Sequence, residues 1–227
     1  MVVYLYWLIS LTIVTYFSAF FVRRFKEVGY AFLVGFYTIY LAASQIFAIR
    51  TIKFDLGFHS FYAPAAVFIY PFVAQALDMI NEVYGKEKTY LAILIAFLTQ
   101  VLLVIFIIMI NTLKPAPFFL YEEAWRNIFK LGIRITIASW LSFLICQYID
   151  ATIFAFLKKK YEKKVLLRSI TSDAIDLTLD SIIFVTIAFL GVMPVIPLII
   201  GQIISKNIIG FIDVPFFLWY KKLIKTK

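Results

Sequence analysis

One cysteine and one histidine are all that 227 residues offer for thiol or imidazole chemistry. Cys146, standing alone, excludes an internal disulfide. His59 alone leaves no Cys/His metal cluster and no His-based catalytic set. There is no GxxxxGK[ST] loop, which excludes ATP hydrolysis by that route. GxSxG and HExxH are absent too, and no GxGD-type context surrounds the carboxylates. Without an organised nucleophile–base set the chain reads as a non-enzyme that needs no cofactor. Charge is also scarce. Only 15% of residues are Asp, Glu, Lys or Arg, against about 25% in a soluble domain.

What fills the chain instead is apolar: 63% of residues are hydrophobic and the mean hydropathy is +0.95. A water-soluble fold of this size cannot hide that much apolar surface beneath a polar shell. Lipid removes the conflict, and it demands helices or a closed barrel. The apolar runs are continuous rather than alternating, which selects helices. The expected fold class is therefore all-α: a polytopic transmembrane helical bundle forming one integral membrane domain over 1–227.

A spanning helix needs about 20 apolar residues. Seven segments qualify, at about 3–22, 29–49, 61–81, 89–111, 131–157, 172–193 and 195–220. The first is followed by Arg23 and Arg24, where a signal peptide would show a small-residue cleavage site, so it reads as a retained helix. Pro64 and Pro71 weaken the third, and Pro71, placed mid-span, is expected to bend it. The loop 112–130, with Pro115, Pro117, Glu122, Glu123 and Trp125, either lies along the interface or forms a lid.

Loops assigned alternately to two sides carry very unequal charge. One side receives 15 cations: Arg23, Arg24, Lys26, Lys86, Lys88, Lys158, Lys159, Lys160, Lys163, Lys164, Arg168, Lys221, Lys222, Lys225 and Lys227. The other receives six: Arg50, Lys53, Lys114, Arg126, Lys130 and Arg134. An excess of Lys and Arg marks the cytoplasmic face. The N-terminus is therefore expected outside and the C-terminus inside, in the cell membrane. The net charge of +9 is accounted for by topology and does not call for a nucleic-acid partner.

Ionisable groups at membrane depth are costly and face a partner or a cavity. In the sixth span Asp173, Asp176 and Asp180 share one arc, with Asp180 near the midplane. In the seventh, Gln202, Lys206 and Asp213 share a face, and Lys206 reaches a similar depth. The spacing predicts an Asp180–Lys206 pair, which either pins two helices together or serves a substrate. In the fifth span Ser139, Ser142, Cys146 and Asp150 fall on one side with Gln147 at its margin. The hydroxyls there suit close helix packing, whereas Asp150 needs a partner. The third span ends with Asp78, Asn81 and Glu82 on one face, and Gly85 suits a helix C-cap. Those three either line a pocket or dip into water, with Glu82 pairing Lys86 at i+4.

The run from Phe68 through Tyr70, Pro71 and Phe72 to Asp78-Met-Ile-Asn81-Glu82-Val-Tyr84-Gly85 carries a Pro followed by D-x-x-N-E-x-Y-G. A second block leads from Ala138-Ser139 through Gln147-Tyr-Ile-Asp150 and Phe154 to Arg168-Ser169, Asp180-Ser-Ile-Ile-Phe184 and Ala188-Phe189. A third is Lys206 followed by Asp213-Val-Pro215-Phe216. In order and spacing these blocks, which span about 30–220, resemble the VUT family of YhhQ-like queuosine-precursor transporters. The resemblance implies import of 7-deazaguanines, 7-cyano-7-deazaguanine and 7-aminomethyl-7-deazaguanine, used in tRNA modification. It also implies a six-helix core, here 29–220, similar to the S-components of ECF importers. The helix at 3–22 is extra to that core and reads as peripheral. Asp173 and Asp176 are not in the pattern, so only Asp180 is carried over from that span.

The chemistry of such a ligand fits the residues. A deazaguanine presents N–H donors along its 2-amino and N1 edge, an O6 acceptor and a flat π-face. Asp78 or Asp150 would accept from the donor edge. Asn81, Gln147 or Lys206 would orient the ring, and Tyr70 or Phe72 would stack on it. Glu82 and Asp180 complete the expected substrate-binding set. The alternative is an S-component-like binding module for a vitamin or purine-like compound that needs an ATP-driven partner.

Overall fold

The computed structural model describes residues 2–55, 60–160 and 165–225, with side chains described except at 2–3, 26–27, 55, 144, 147–174 and 176. Among them are six α-helices: α1 Val2–Arg24, α2 Lys26–Phe47, α3 Tyr70–Thr112, α4 Glu122–Lys160, α5 Val165–Phe189 and α6 Val195–Lys225. Long apolar stretches take this form because lipid offers no partner to a bare N–H or C=O, so each segment must satisfy its own backbone. Among the described residues, four helical stretches are long and apolar enough to cross a membrane: Tyr4–Arg24, Val28–Phe47, Tyr70–Thr112 and Val195–Lys225. Leu177–Phe189 is a shorter apolar stretch.

Two features correct the sequence expectation around the third segment. The chain is not purely helical, since β1 Thr51–Asp55 pairs antiparallel with β2 Ser60–Pro64. A backbone bond from Ala65 N–H to the Arg50 carbonyl, 2.8 Å, closes the base of the hairpin. After a 3-10 turn at Ala65–Phe68, α3 begins only at Tyr70. The expected span at 61–81 therefore starts too early, because its first residues are strand and turn. Pro71 is accordingly the second residue of α3 and not mid-span. There its missing N–H would have no intrahelical partner anyway, so it starts the helix instead of bending it.

The interruption comes at Gly85, whose φ of 78° and ψ of 174° are non-helical. That combination is essentially reserved for glycine. The helix resumes at once, with the Thr89 hydroxyl bonding the Gly85 carbonyl at 3.1 Å. The cap expected at Gly85 is thus a break within one long element that carries both the third and fourth expected segments.

The chain forms two compact units. The first comprises residues 1–47, 66–110 and 208–227. Its core joins Ala19 and Val22 of α1, Leu33, Val34 and Tyr37 of α2, Ala76, Met79, Ile80, Ala92 and Ala96 of α3, and Tyr220 of α6. One face of α1 is fully engaged in this unit: Leu11 and Thr15 are both 0% exposed. Trp7 Nε1 donates to the Phe68 carbonyl at 2.8 Å.

The second unit comprises residues 48–65 and 111–207. Ile135, Ala138, Val185, Ala188 and Phe189 are buried there, joining α4 to α5. Arg134 of α4 caps the C-terminal end of α5, with Nε on the Ile187 carbonyl at 2.8 Å and Nη2 on that of Leu190 at 2.7 Å. A cation satisfying the last carbonyls also suits the negative end of the helix dipole. Gly191, at φ 79°, then turns the chain out of the helix. The loop 112–130 is helical from Glu122 on, and Trp125 Nε1 ties it back to Asn111 Oδ1 at 2.8 Å.

Candidate functional site

Each unit holds a cluster of bonded polar side chains among its helices. In the second unit, Lys206 of α6 forms an ion pair with Asp180 of α5. Lys206 Nζ donates to Asp180 Oδ2, while the Ser142 hydroxyl of α4 donates to Oδ1 at 2.7 Å. The pair expected from matching depth is therefore present, and three helices meet at it. Ser142, which on spacing served only close packing, holds the second carboxylate oxygen. Lys206 is 7% exposed. An ammonium so shielded stays charged only beside a carboxylate, and removal of either partner would strand the other.

One turn before Lys206 on the same helix lies Gln202, 3% exposed. Its Oε1 is shut off from solvent and has no hydrogen-bond partner among the described residues. Leaving such an acceptor unmet costs about 1–3 kcal/mol. Nearby, α6 carries Gly201 where a Cβ would collide with the backbone of Tyr62 in β2. The glycine lets the strand lie directly on the helix. Gln147 and Asp150 belong to α4, but their side chains fall outside the described residues, as do those of Asp173 and Asp176 and the whole of His59.

In the first unit the polar centre is a relay across three helices. Thr15 Oγ1 of α1 donates to Gln75 Oε1 of α3 at 3.2 Å, and Gln75 Nε2 donates to Asp213 Oδ1 of α6 at 3.1 Å. Both ends of the carboxamide are used, so its orientation is fixed. Asp78 lies one turn further along α3 and close enough to Asp213 for their charges to interact. Asp78 and Asn81 are exposed side chains. Glu82 pairs with Lys221 of α6 at 3.1 Å, not with Lys86. The break at Gly85 lies between Glu82 and Lys86 and spoils the i+4 geometry that pairing needs.

The expected aromatics differ from one another. Phe72 is buried, its ring 5.6 Å from that of Tyr40. Tyr70, in the first turn of α3, is half-buried. Tyr220 of α6 is fully buried, and its hydroxyl has no hydrogen-bond partner among the described residues.

Gln75 and Thr15 were not visible as site residues from the sequence. Gln75 carried a signal, since it sits three residues before Asp78 on the same face. Thr15 carried none, because α1 lies outside the three matching blocks. Among the described residues no group of three or more His, Cys, Asp or Glu could hold a metal ion.

Charged groups paired inside apolar helices fit a membrane carrier. Residues 64–220 match the family model described as "Putative vitamin uptake transporter". The chain belongs to this transporter family. It is a multi-pass membrane protein and not an enzyme. It is also 24% identical over 210 residues to the "Probable queuosine precursor transporter" of Bacillus subtilis (strain 168), an alignment covering 90% of this chain and 88% of that one. No solved structure matches.

Proposed function

We propose that this transporter carries queuosine precursors, 7-cyano-7-deazaguanine and 7-aminomethyl-7-deazaguanine, into the cytoplasm. The observation that carries the reading is the Lys206–Asp180–Ser142 cluster, an ion pair held among apolar helices, in a chain whose relative is named for this cargo. A deazaguanine offers a row of N–H donors beside a carbonyl acceptor, and such an edge is matched by carboxylates beside an ammonium or amide. Asp78 or Asp150 takes the donor edge. Asn81, Gln147 or Lys206 orients the ring, and Tyr70 or Phe72 stacks on it. Asp180 holds Lys206, and Glu82 holds Lys221.

The same reading treats residues 1–227 as one membrane domain, a six-helix core at 29–220 with the helix at 3–22 added to it. The excess of Lys and Arg in alternate loops favours an N-terminus outside and a C-terminus in the cytoplasm. The test is restoration of queuosine in the tRNA of cells that cannot make or import the precursor. Cells expressing this chain should recover the modified base when either compound is added to the medium. Cells with an Asp78→Ala, Asp150→Ala double variant should not, and full recovery with that variant would reject the roles given to the two carboxylates.

A further inference from the structure

We propose that Gln202 is a specificity-determining residue, whose side-chain oxygen accepts an N–H from the bound heterocycle beside the Lys206–Asp180 pair. The inference rests on the transport reading above and adds to it a residue that neither the matching blocks nor the expected binding set contained. Three observations on the second unit carry it. Gln202 is 3% exposed, yet its Oε1 has no hydrogen-bond partner among the described residues. Next to it, Gly201 lets the Tyr62 backbone of β2 lie directly on α6 and so walls this stretch of the helix. Finally, Gln202 and Lys206 stand at i and i+4, hence on one helix face about 5–6 Å apart at Cβ.

Helical serines and threonines can turn a hydroxyl onto their own preceding carbonyl, as Ser205 does to Gly201 at 2.6 Å. A carboxamide oxygen cannot do so, because it accepts and the carbonyl also accepts. Its partner has to be a donor. The donors nearest on these helices, the Lys206 ammonium and the Ser142 hydroxyl, bond the Asp180 carboxylate, and none among the described residues meets Gln202 Oε1. An N–H brought by a ligand meets the demand. A flat heterocycle with an amino group set a few ångströms from a ring carbonyl matches an acceptor one turn from an ammonium. The amino edge would go to Gln202 and the carbonyl toward Lys206.

The experiment compares two ligands on the purified full chain: 7-cyano-7-deazaguanine and the same compound lacking its 2-amino group. Affinity and melting temperature are measured for the wild type, Gln202→Met and Gln202→Leu. The wild type should bind the amino compound at least fivefold more tightly than the other. Both variants should lose that preference, with affinity for the amino compound falling at least fivefold and affinity for its analogue unchanged. Their melting temperatures without ligand should equal or exceed that of the wild type, because a buried acceptor without a partner has been removed.

A smaller loss, an equal loss for both ligands, or a wild type indifferent to the amino group would overturn the role of Gln202 and leave the transport reading standing. Variants that melt lower or fail to fold would likewise overturn it, by showing that Gln202 holds the structure together. A wild type that binds neither compound would reject the transport reading and this inference with it.

Discussion

Lys206 and Asp180 pair across two helices, and the carboxylate is satisfied at both oxygens: Oδ2 by the ammonium, Oδ1 by the Ser142 hydroxyl at 2.7 Å. Three separate stretches of sequence are committed to one charge pair, its ammonium buried and its carboxylate partly so. A pair of this kind adds little net stability compared with apolar residues of the same shape, but breaking it is expensive. Under the proposed transport reading, the pair is kept for the substrate it binds.

Lys206→Met therefore leaves Asp180 without its counter-ion and should destabilise the folded protein by about 3–5 kcal/mol. The Asp180→Asn, Lys206→Met double variant should recover most of that loss, since no lone charge remains. Thermal unfolding in detergent measures both. Substrate uptake should be absent in the single and the double variant alike, which separates a binding role from a structural one.

Gln75→Leu removes the middle of the Thr15–Gln75–Asp213 relay. The Thr15 hydroxyl and one Asp213 oxygen lose their partner, at a cost of about 1–3 kcal/mol. Adding Thr15→Val to Gln75→Leu should cost less than the two changes measured apart, because the hydroxyl has already lost its acceptor. Strictly additive melting shifts would show that the two side chains do not act together.

Two glycines have distinct duties and should fail differently. Gly85→Ala places a Cβ on a backbone at φ 78°, with open space around it, so its cost is conformational, about 1–3 kcal/mol. Gly201→Ala meets the Tyr62 backbone directly and should detach the hairpin from α6. Limited proteolysis between β1 and β2 should rise sharply in Gly201→Ala and stay unchanged in Gly85→Ala.

Glu82 and Lys221 are both partly open to solvent in their 3.1 Å ion pair. Such pairs are worth about 0–1 kcal/mol, so Glu82→Gln should shift the melting temperature little. If Glu82 acts by fixing Lys221, the charge-swapped Glu82→Lys, Lys221→Glu protein should transport better than either single variant. Equal uptake in all three would remove Glu82 from the site.

Hydropathy made the helices legible, because lipid imposes one simple rule on long segments. Depth counting along α5 and α6 also anticipated the Asp180–Lys206 pair. The hairpin escaped because the apolar and aromatic residues of β2 run straight into the helix start and merge with its apolar run, while β1, with Lys53 and Asp55, reads as a charged loop. Gly85 was recognised as a helix stop. That the helix restarts at Lys86 depends on tertiary packing, which spacing does not encode. The Gln75–Asp213 contact escaped for a similar reason. Asp213 shares a helical face with Lys206 by arithmetic, yet the two engage different partners, and which helix each side chain meets is not a property of α6 alone.

The most direct test uses the purified chain alone in liposomes, with labelled 7-cyano-7-deazaguanine outside and no ATPase subunit present. Saturable entry is expected, which unlabelled 7-aminomethyl-7-deazaguanine competes away and Lys206→Met abolishes. Entry no faster than into protein-free liposomes, from a preparation that still binds the compound, would contradict it.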